Sequence, residues 1–291
     1  MRSTSSEKDA PDHQALLEKQ RAENFPVALR VLPKRLRNDL VAVYDVARVI
    51  DDLGDEVPGD RVAQLEAFSV DLKIAWEGGA PTHPAVQRLV PTVRGGRLDR
   101  EPFQRLVDAN LQDQHVTRYA TYADLRAYCT LSADPVGRIV LALVDVRDPV
   151  ADQLSDRVCT ALQLIEHWQD IAEDRRAGRI YLPQEDLAEF GVAESDLDEP
   201  TASPALRNLM RFEIDRAADL LDSGAPLVRL LHGWGRLAVS GFVAGGRATV
   251  DALRRTGGDV LTATAHPRGS EVLRHLGKLQ FGKLKTGDRQ Q

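Results

Sequence analysis

The sequence predicts an all-α helical bundle, and three features of the chain carry that expectation. Apolar residues recur three and four positions apart over most of its length. Period-two alternation and Asn-Gly hairpin turns are missing. Gly and Pro then cut the periodic stretches into helix-sized pieces.

Taken in order, residues 1–20 are rich in Ser, Lys, Asp and Gln and read as a flexible segment. Helical periodicity runs over 36–53, 62–76, 102–116, 154–171, 205–221 and 227–253. Pro58-Gly59, Gly78-Gly79-Ala80-Pro81, Gly95-Gly96, Pro149, Pro183, Glu199-Pro200 and Gly257-Gly258 separate these stretches. With no internal repeat and no long linker, residues 21–265 are expected to form a single domain of about eight to ten helices. Residues 266–291 carry six Lys/Arg against two acids and read as a basic, mobile tail.

Composition narrows the function. At 291 residues, 43% hydrophobic and 28% charged, the chain is ordinary globular protein rather than a disordered or fibrous one. A formal charge of -6 argues against a surface built to grip nucleic acid. Cys129 and Cys159 make no disulfide framework and no zinc site, so reduced thiols and a cytoplasmic location are expected. The polar N-terminus lacks the apolar core of a signal peptide, and no apolar run approaches the roughly 20 residues of a membrane span.

Two acidic constellations carry the chemistry. On a helix, Tyr44, Arg48, Asp51 and Asp55 follow at spacings of four, three and four, which is one stripe. Two carboxylates one turn apart repel, and a hard cation such as Mg²⁺ between them would relieve that; a solvated acidic helix end is the plainer alternative. More than 100 residues later, Glu166, Asp170 and Asp174 lie four apart on what reads as one further helix. Two inward-facing acidic stripes would be prohibitive to bury without metal or cationic partners, and facing helices are a known frame for such sites. His167, between these acids, is read as a packing or outer residue rather than a ligand, because Mg²⁺ prefers oxygen. Gly178 is positioned to end that helix, with Arg179 and Tyr181 just beyond it.

These residues resemble the squalene and phytoene synthase family. The resemblance runs over about 23–260 and rests on four stretches. They are Glu23-Asn24-Phe25-Pro26, the run from Arg48 to Asp55, the run from Arg118 to Cys129, and the run from Asp170 to Pro183. Within the family, Tyr128-Cys129-Thr130-Leu131-Ser132-Ala133-Asp134-Pro135-Val136-Gly137 looks most like the hydroxysqualene synthase branch of bacterial hopanoid pathways. The chain departs from the family pattern at Glu166, where Asn is usual, and at Gln169, where Arg is usual.

The resemblance implies an isoprenoid-synthase-type helical bundle around a central cavity. It implies that Asp51, Asp55, Asp170 and Asp174, with Glu166 in the variant position, hold a multi-ion Mg²⁺ cluster on the diphosphate of a prenyl substrate. Tyr44, Arg48 and Tyr181 take catalytic roles. Asn24, Phe25, Tyr44, Arg48, Ala133, Gly137, Gln163 and Arg179 contact substrate, with Val136 and Leu141 as further wall. Presqualene diphosphate would lose diphosphate, and the rearranged cation would be captured by water, so NADPH is not expected. The added charge of Glu166 and the lost charge of Gln169 favour one diphosphate at a time. Two alternatives stay open: a head-to-head transferase making presqualene diphosphate, squalene or phytoene-type products, and a non-catalytic assembly protein. Neighbouring pathway enzymes are candidate partners. The basic tail reads either as a peripheral membrane contact or as a solubilising end.

Overall fold

The computed structural model describes residues 32–281, and among them the chain forms thirteen α-helices and one 3₁₀ helix, with no β-strand. In order they are α1 (Lys34–Asp55), α2 (Arg61–Trp76), α3 (Pro84–Arg94), α4 (Glu101–Asp113), α5 (Tyr122–Ser132), α6 (Asp134–Leu143) and α7 (Pro149–Gln169). They continue as α8 (Ile171–Arg176), α9 (Gln184–Glu189), the 3₁₀ turn Glu194–Asp198, α10 (Pro204–Gly224), α11 (Leu227–Leu230), α12 (Gly233–Arg255) and α13 (Gly269–Phe281). The chain divides into two units, Met1–Asn38 and Asp39–Gln291. Of the first, only a bend and the opening turn of α1 are described; everything below concerns the second.

Local chemistry sets the helix starts. Asp60 and Asp148 accept backbone N–H groups of Ala63 and Val150 at 3.0 and 2.9 Å, and Ser203 accepts that of Leu206 at 3.2 Å. Pro149 and Pro204 then occupy first helical positions, where the missing N–H costs nothing. Thr121 and Asp124 form a reciprocal capping box at the start of α5.

The heart of this unit is α7 packed along α10, with Leu164, Trp168, Leu206, Met210 and Leu221 almost wholly buried. Gly224 makes the closest approach there. A Cβ at Gly224 would lie 2.8 Å from the Leu154 carbonyl oxygen and 2.9 Å from the Val158 nitrogen, and backbone atoms cannot swing aside. Gly224→Ala is therefore expected to destabilise by roughly 1–3 kcal/mol, read as a melting temperature several degrees lower; an unchanged melting curve would show that α7 and α10 have room to separate.

Three sequence expectations need correcting. The second acidic stripe does not lie on one continuous helix: α7 stops at Gln169, Asp170 adopts φ -105°, ψ 13°, and α8 restarts at Ile171. The 227–253 stretch is two helices, because Leu231 and His232 are extended and Gly233, at φ +53°, turns the chain into α12. The stretch expected to be a loose tail contains α13, which lies on α12. Its Leu279 is in the core, Gln280 Nε2 donates to Ser240 Oγ at 2.9 Å, and His275 Nε2 meets Asp251 Oδ2 at 2.8 Å. Of these, α13 is held by contacts to a helix distant in sequence, while the two breaks are local departures from helical backbone within otherwise periodic stretches.

Candidate active site

The end of α1 is fastened to α4. Gly54 lacks the Cβ that would fall 2.1 Å from Asn110 Oδ1, so α4 comes close enough for Gln114 Nε2 to donate to the Gly54 carbonyl at 3.0 Å. Asn110 Nδ2 reaches Asp51 Oδ1 at 3.4 Å. Asp51 is solvent-accessible yet has protein on most sides, and this desolvation, with repulsion from Asp55 and Asp52, pushes its carboxyl up to about 6. Arg48 does not stand in line with Asp51 and Asp55 as the stripe suggests. Its guanidinium is drawn to Asp52, at 3.1 Å, and Glu56, at 3.5 Å. Tyr44 is half-buried further back along α1.

The second acidic group is aimed by the turn after α8. Gly178, at φ +84°, reverses the chain, with Gly178 N–H donating to Arg175 O at 3.0 Å and Arg179 N–H to Asp174 O at 2.8 Å. Ile180 N–H then donates to Thr117 O at 3.0 Å, making a single parallel bridge between Ile180 and Arg118. Arg118 clamps the turn by donating to Gly178 O at 2.7 Å and to Glu194 Oε1 at 2.8 Å. So held, Arg179 Nη2 donates to Asp55 Oδ1 at 2.5 Å and ties the two acidic regions together.

Behind Arg179 lies a buried aromatic stack. The Tyr181 and His167 rings are 3.6 Å apart and 13° from parallel, with Tyr119 and Tyr128 at 5.8 and 5.9 Å from Tyr181. His167 is braced by Gln163 Nε2, 3.3 Å from its Nε2, and by Asp174, 3.8 Å from its Nδ1. Burial raises the Tyr119, Tyr128 and Tyr181 phenols, so they stay neutral and offer hydroxyls and π faces. Tyr128 donates to Asp113 Oδ2 at 2.7 Å, while Asp113 Oδ1 is buried with no hydrogen-bond partner. Burial, partly offset by Tyr128 and Arg179, brings Asp113 up to about 6.

Asp170 and Asp174 are half-buried and Glu166 is exposed. Burial first, then repulsion from Glu166, Asp174 and Glu173, raises Asp170 to about 6. Among the described residues no three Asp, Glu, His or Cys side chains converge into a ready-made metal cage. The donors are paired hard oxygens, a set that suits Mg²⁺ whose shell is completed by phosphate oxygens and water.

The other expected contacts fall as follows. Ala133 is buried at the junction of α5 and α6. Gly137 is a packing glycine, since a Cβ there would lie 2.2 Å from Ser155 Oγ and 2.7 Å from Cys159 Sγ of α7. Val136 is 46% exposed and Leu141 is in the core. Gln169 turns away from the acids and donates to Ala265 O at 2.5 Å. Asn24 and Phe25 lie outside the described residues. Sequence reasoning passed over Asp113 and Asn110. No local signal singles them out, because α4 also carries Glu101, Gln104, Arg105, Asp108 and Gln112.

The all-α bundle that carries these acidic pairs, the arginine between them and the buried aromatics has a fold of the isoprenoid-synthase type. The squalene/phytoene synthase model matches residues 19–271, and the chain belongs to that family of head-to-head prenyl transferases. It is 33% identical over 218 residues to a hydroxysqualene synthase of Zymomonas mobilis subsp. mobilis, covering 72% of this chain and 71% of that one. It is 29% identical over 266 residues to a 15-cis-phytoene synthase of Synechococcus elongatus, covering 84% of each. The crystal structure of squalene synthase HpnC from Alicyclobacillus acidocaldarius is 40% identical, with a TM-score of 0.78, covering 84% of this chain and 93% of that one.

Proposed function

We propose that this protein converts presqualene diphosphate to hydroxysqualene. The observation that carries the choice is the crowding of Asp170 by Glu166, Glu173 and Asp174. That much negative charge in one place is suited to a single metal-bound diphosphate and opposes a second. The 33% identity to a hydroxysqualene synthase supports the same branch.

In this reading Asp51, Asp55, Asp170 and Asp174, with Glu166, would hold Mg²⁺. When bound, it supplies Lewis-acid neutralisation of the charge that develops on the leaving diphosphate. Arg179 exchanges Asp55 for a phosphate oxygen, and Arg48 adds positive potential from the next face of α1. The neutral faces of Tyr181, Tyr128 and Tyr119 stabilise the carbocation left when the carbon–oxygen bond breaks. Water adds its lone pair to that cation and gives up one proton to Asp113. With its carboxyl near 6, Asp113 is largely ionised at neutral pH and is a competent base.

A second reading, condensation of two prenyl diphosphates, is favoured by the similarity to a phytoene synthase over most of both chains. The purified protein with Mg²⁺ is to be offered presqualene diphosphate, or farnesyl diphosphate alone, each without NADPH. Hydroxysqualene from the first is the expected product. Efficient condensation of the second would overturn the proposal.

A further inference from the structure

α12 has two faces of opposite character. Val239, Val243 and Val250 are buried, whereas Trp234, Leu237 and Phe242 are 38, 45 and 40% exposed. Trp234, Leu237, Gly241 and Gly245 follow at three- and four-residue spacing, which is one stripe, with Phe242 at its edge. A Cβ at Gly241 or Gly245 would meet nothing within 4 Å, so no described part of the protein covers this stripe. Leu230, at the end of α11, adds a further exposed apolar side chain, 42% exposed.

The charge along this stretch of the chain is one-sided. Residues 223–250 contain no Asp or Glu, in a chain whose formal charge is -6. Arg229 and Arg236 lie in this stretch and have no carboxylate partner among the described residues. The nearest acids in sequence are already neutralised: Asp222 by Arg247 at 2.7 Å, Asp251 by Arg274 and His275. α13 runs antiparallel to α12, since Gln280 meets Ser240 while His275 meets Asp251. The C-terminal end of α13 therefore lies beside the half of α12 that bears the stripe. Residues 272–281, the part of α13 that follows Glu271, also lack acids and include the exposed Lys278.

We propose that α11 and the first half of α12, with Lys278 on the adjoining end of α13, dock on an anionic lipid bilayer. Apolar and aromatic side chains with arginine and lysine around them are what an interfacial helix needs, with Trp234 placed as an interface anchor. No helix of the described residues is long and apolar enough to cross a membrane, so the contact is with the surface. A second copy of the chain is the poorer occupant, because a symmetric contact would set the same unpaired cations against each other.

The test uses the full chain with vesicles of equal parts phosphatidylglycerol and phosphatidylcholine, against phosphatidylcholine alone. Co-sedimentation with the anionic vesicles is expected, weakening with salt. A blue shift of tryptophan emission is expected too, lost in Trp234→Phe while binding is kept. Leu237→Glu should abolish co-sedimentation, and Arg229→Glu or Arg236→Glu should weaken it about fivefold or more per charge removed. Circular dichroism and an unchanged melting temperature show that each variant is folded. No co-sedimentation of the wild type, unaltered binding by Leu237→Glu, or binding that depends only on residues 282–291 would overturn the proposal, as would self-association through this face without vesicle binding.

Discussion

Asp170→Asn is expected to lower kcat by about a thousandfold while the melting temperature holds or rises. The two effects share one cause. Asp170 is half-buried at the break between α7 and α8, and Glu166, Glu173 and Asp174 repel its charge. An isosteric amide removes that repulsion, so the fold is relieved. The same repulsion is what a bound cation would relieve, so removing the charge also removes the reason for the cation to bind there. Function stored as local destabilisation is a common trade in enzymes. The measurements are steady-state turnover and thermal unfolding, the latter with and without Mg²⁺ and inorganic diphosphate. In the wild type those ligands should raise the melting temperature by mass action, and in Asp170→Asn the rise should vanish. Near-normal turnover would remove Asp170 from the site. An unchanged ligand shift with no turnover in either protein would favour the assembly-protein reading, and a large fall in melting temperature would make Asp170 structural.

This coupling shows which parts of the site are legible in a sequence. Asp51 and Asp55, and Glu166, Asp170 and Asp174, stand out because four-residue spacing on a helix is a local property. The break at Asp170 is not legible, since the backbone hydrogen bonds from Asp170 to Glu166 and from Asp174 to Asp170 still span four residues on each side of it. Arg48 misleads for a related reason. Its place on the stripe is correct by spacing, but a long side chain goes to the nearest acids, and those are Asp52 and Glu56. Asp113 is hidden because its meaning comes from Tyr128, fifteen residues on, and from Arg179, far along the chain.

The fold divides in the same way. Long helices such as α1, α2, α10 and α12 bury a continuous stripe, and periodicity finds them. Shorter helices escape it. α5 and α6 are separated only by Ala133, and α13 lies in a stretch read as a basic tail, yet two of these are held by contacts to a distant helix: α6 by α7 through Gly137, and α13 by α12 through Asp251 and Ser240. Gly178 is the position where local and distant information agree. Its left-handed turn is predictable from Ala177-Gly178-Arg179, and its result is that Arg179 reaches Asp55.

Glu213→Gln is expected to make the protein's stability less dependent on pH, through a buried cluster that joins α9 and α10. Glu213 is wholly buried on α10, and Arg216 Nη1 donates to Asp186 Oδ2 at 2.7 Å and to Glu213 Oε1 at 3.1 Å. The guanidinium also lies 4.2 Å above the Tyr122 ring. Two carboxylates share one cation, so a single retained proton makes the trio neutral. Burial first, and then the hydrogen bond with Asp186, hold Glu213 up to about 8, against an ordinary 4.5. The sign follows from which state lets go of its proton first. Below pH 4.5 Glu213 is protonated whether the chain is folded or not, and its contribution to stability is fully present. Between 4.5 and about 8 the unfolded chain ionises while the folded one does not, so the folded state binds more protons and stability falls as pH rises. Above about 8 both are ionised and the loss, several kcal/mol at its largest, is complete. The amide introduced by Glu213→Gln cannot ionise and escapes this loss, although it gives up the proton shared with Asp186. Denaturant unfolding of both proteins from about pH 5 to about pH 9 should therefore show the wild type more stable at the acidic end and Glu213→Gln overtaking it as pH rises. Taking the difference between the two cancels the titrating groups that do not interact with Glu213. A difference that stays constant across that range would mean that Glu213 is already ionised in the fold and that Arg216 alone balances both acids.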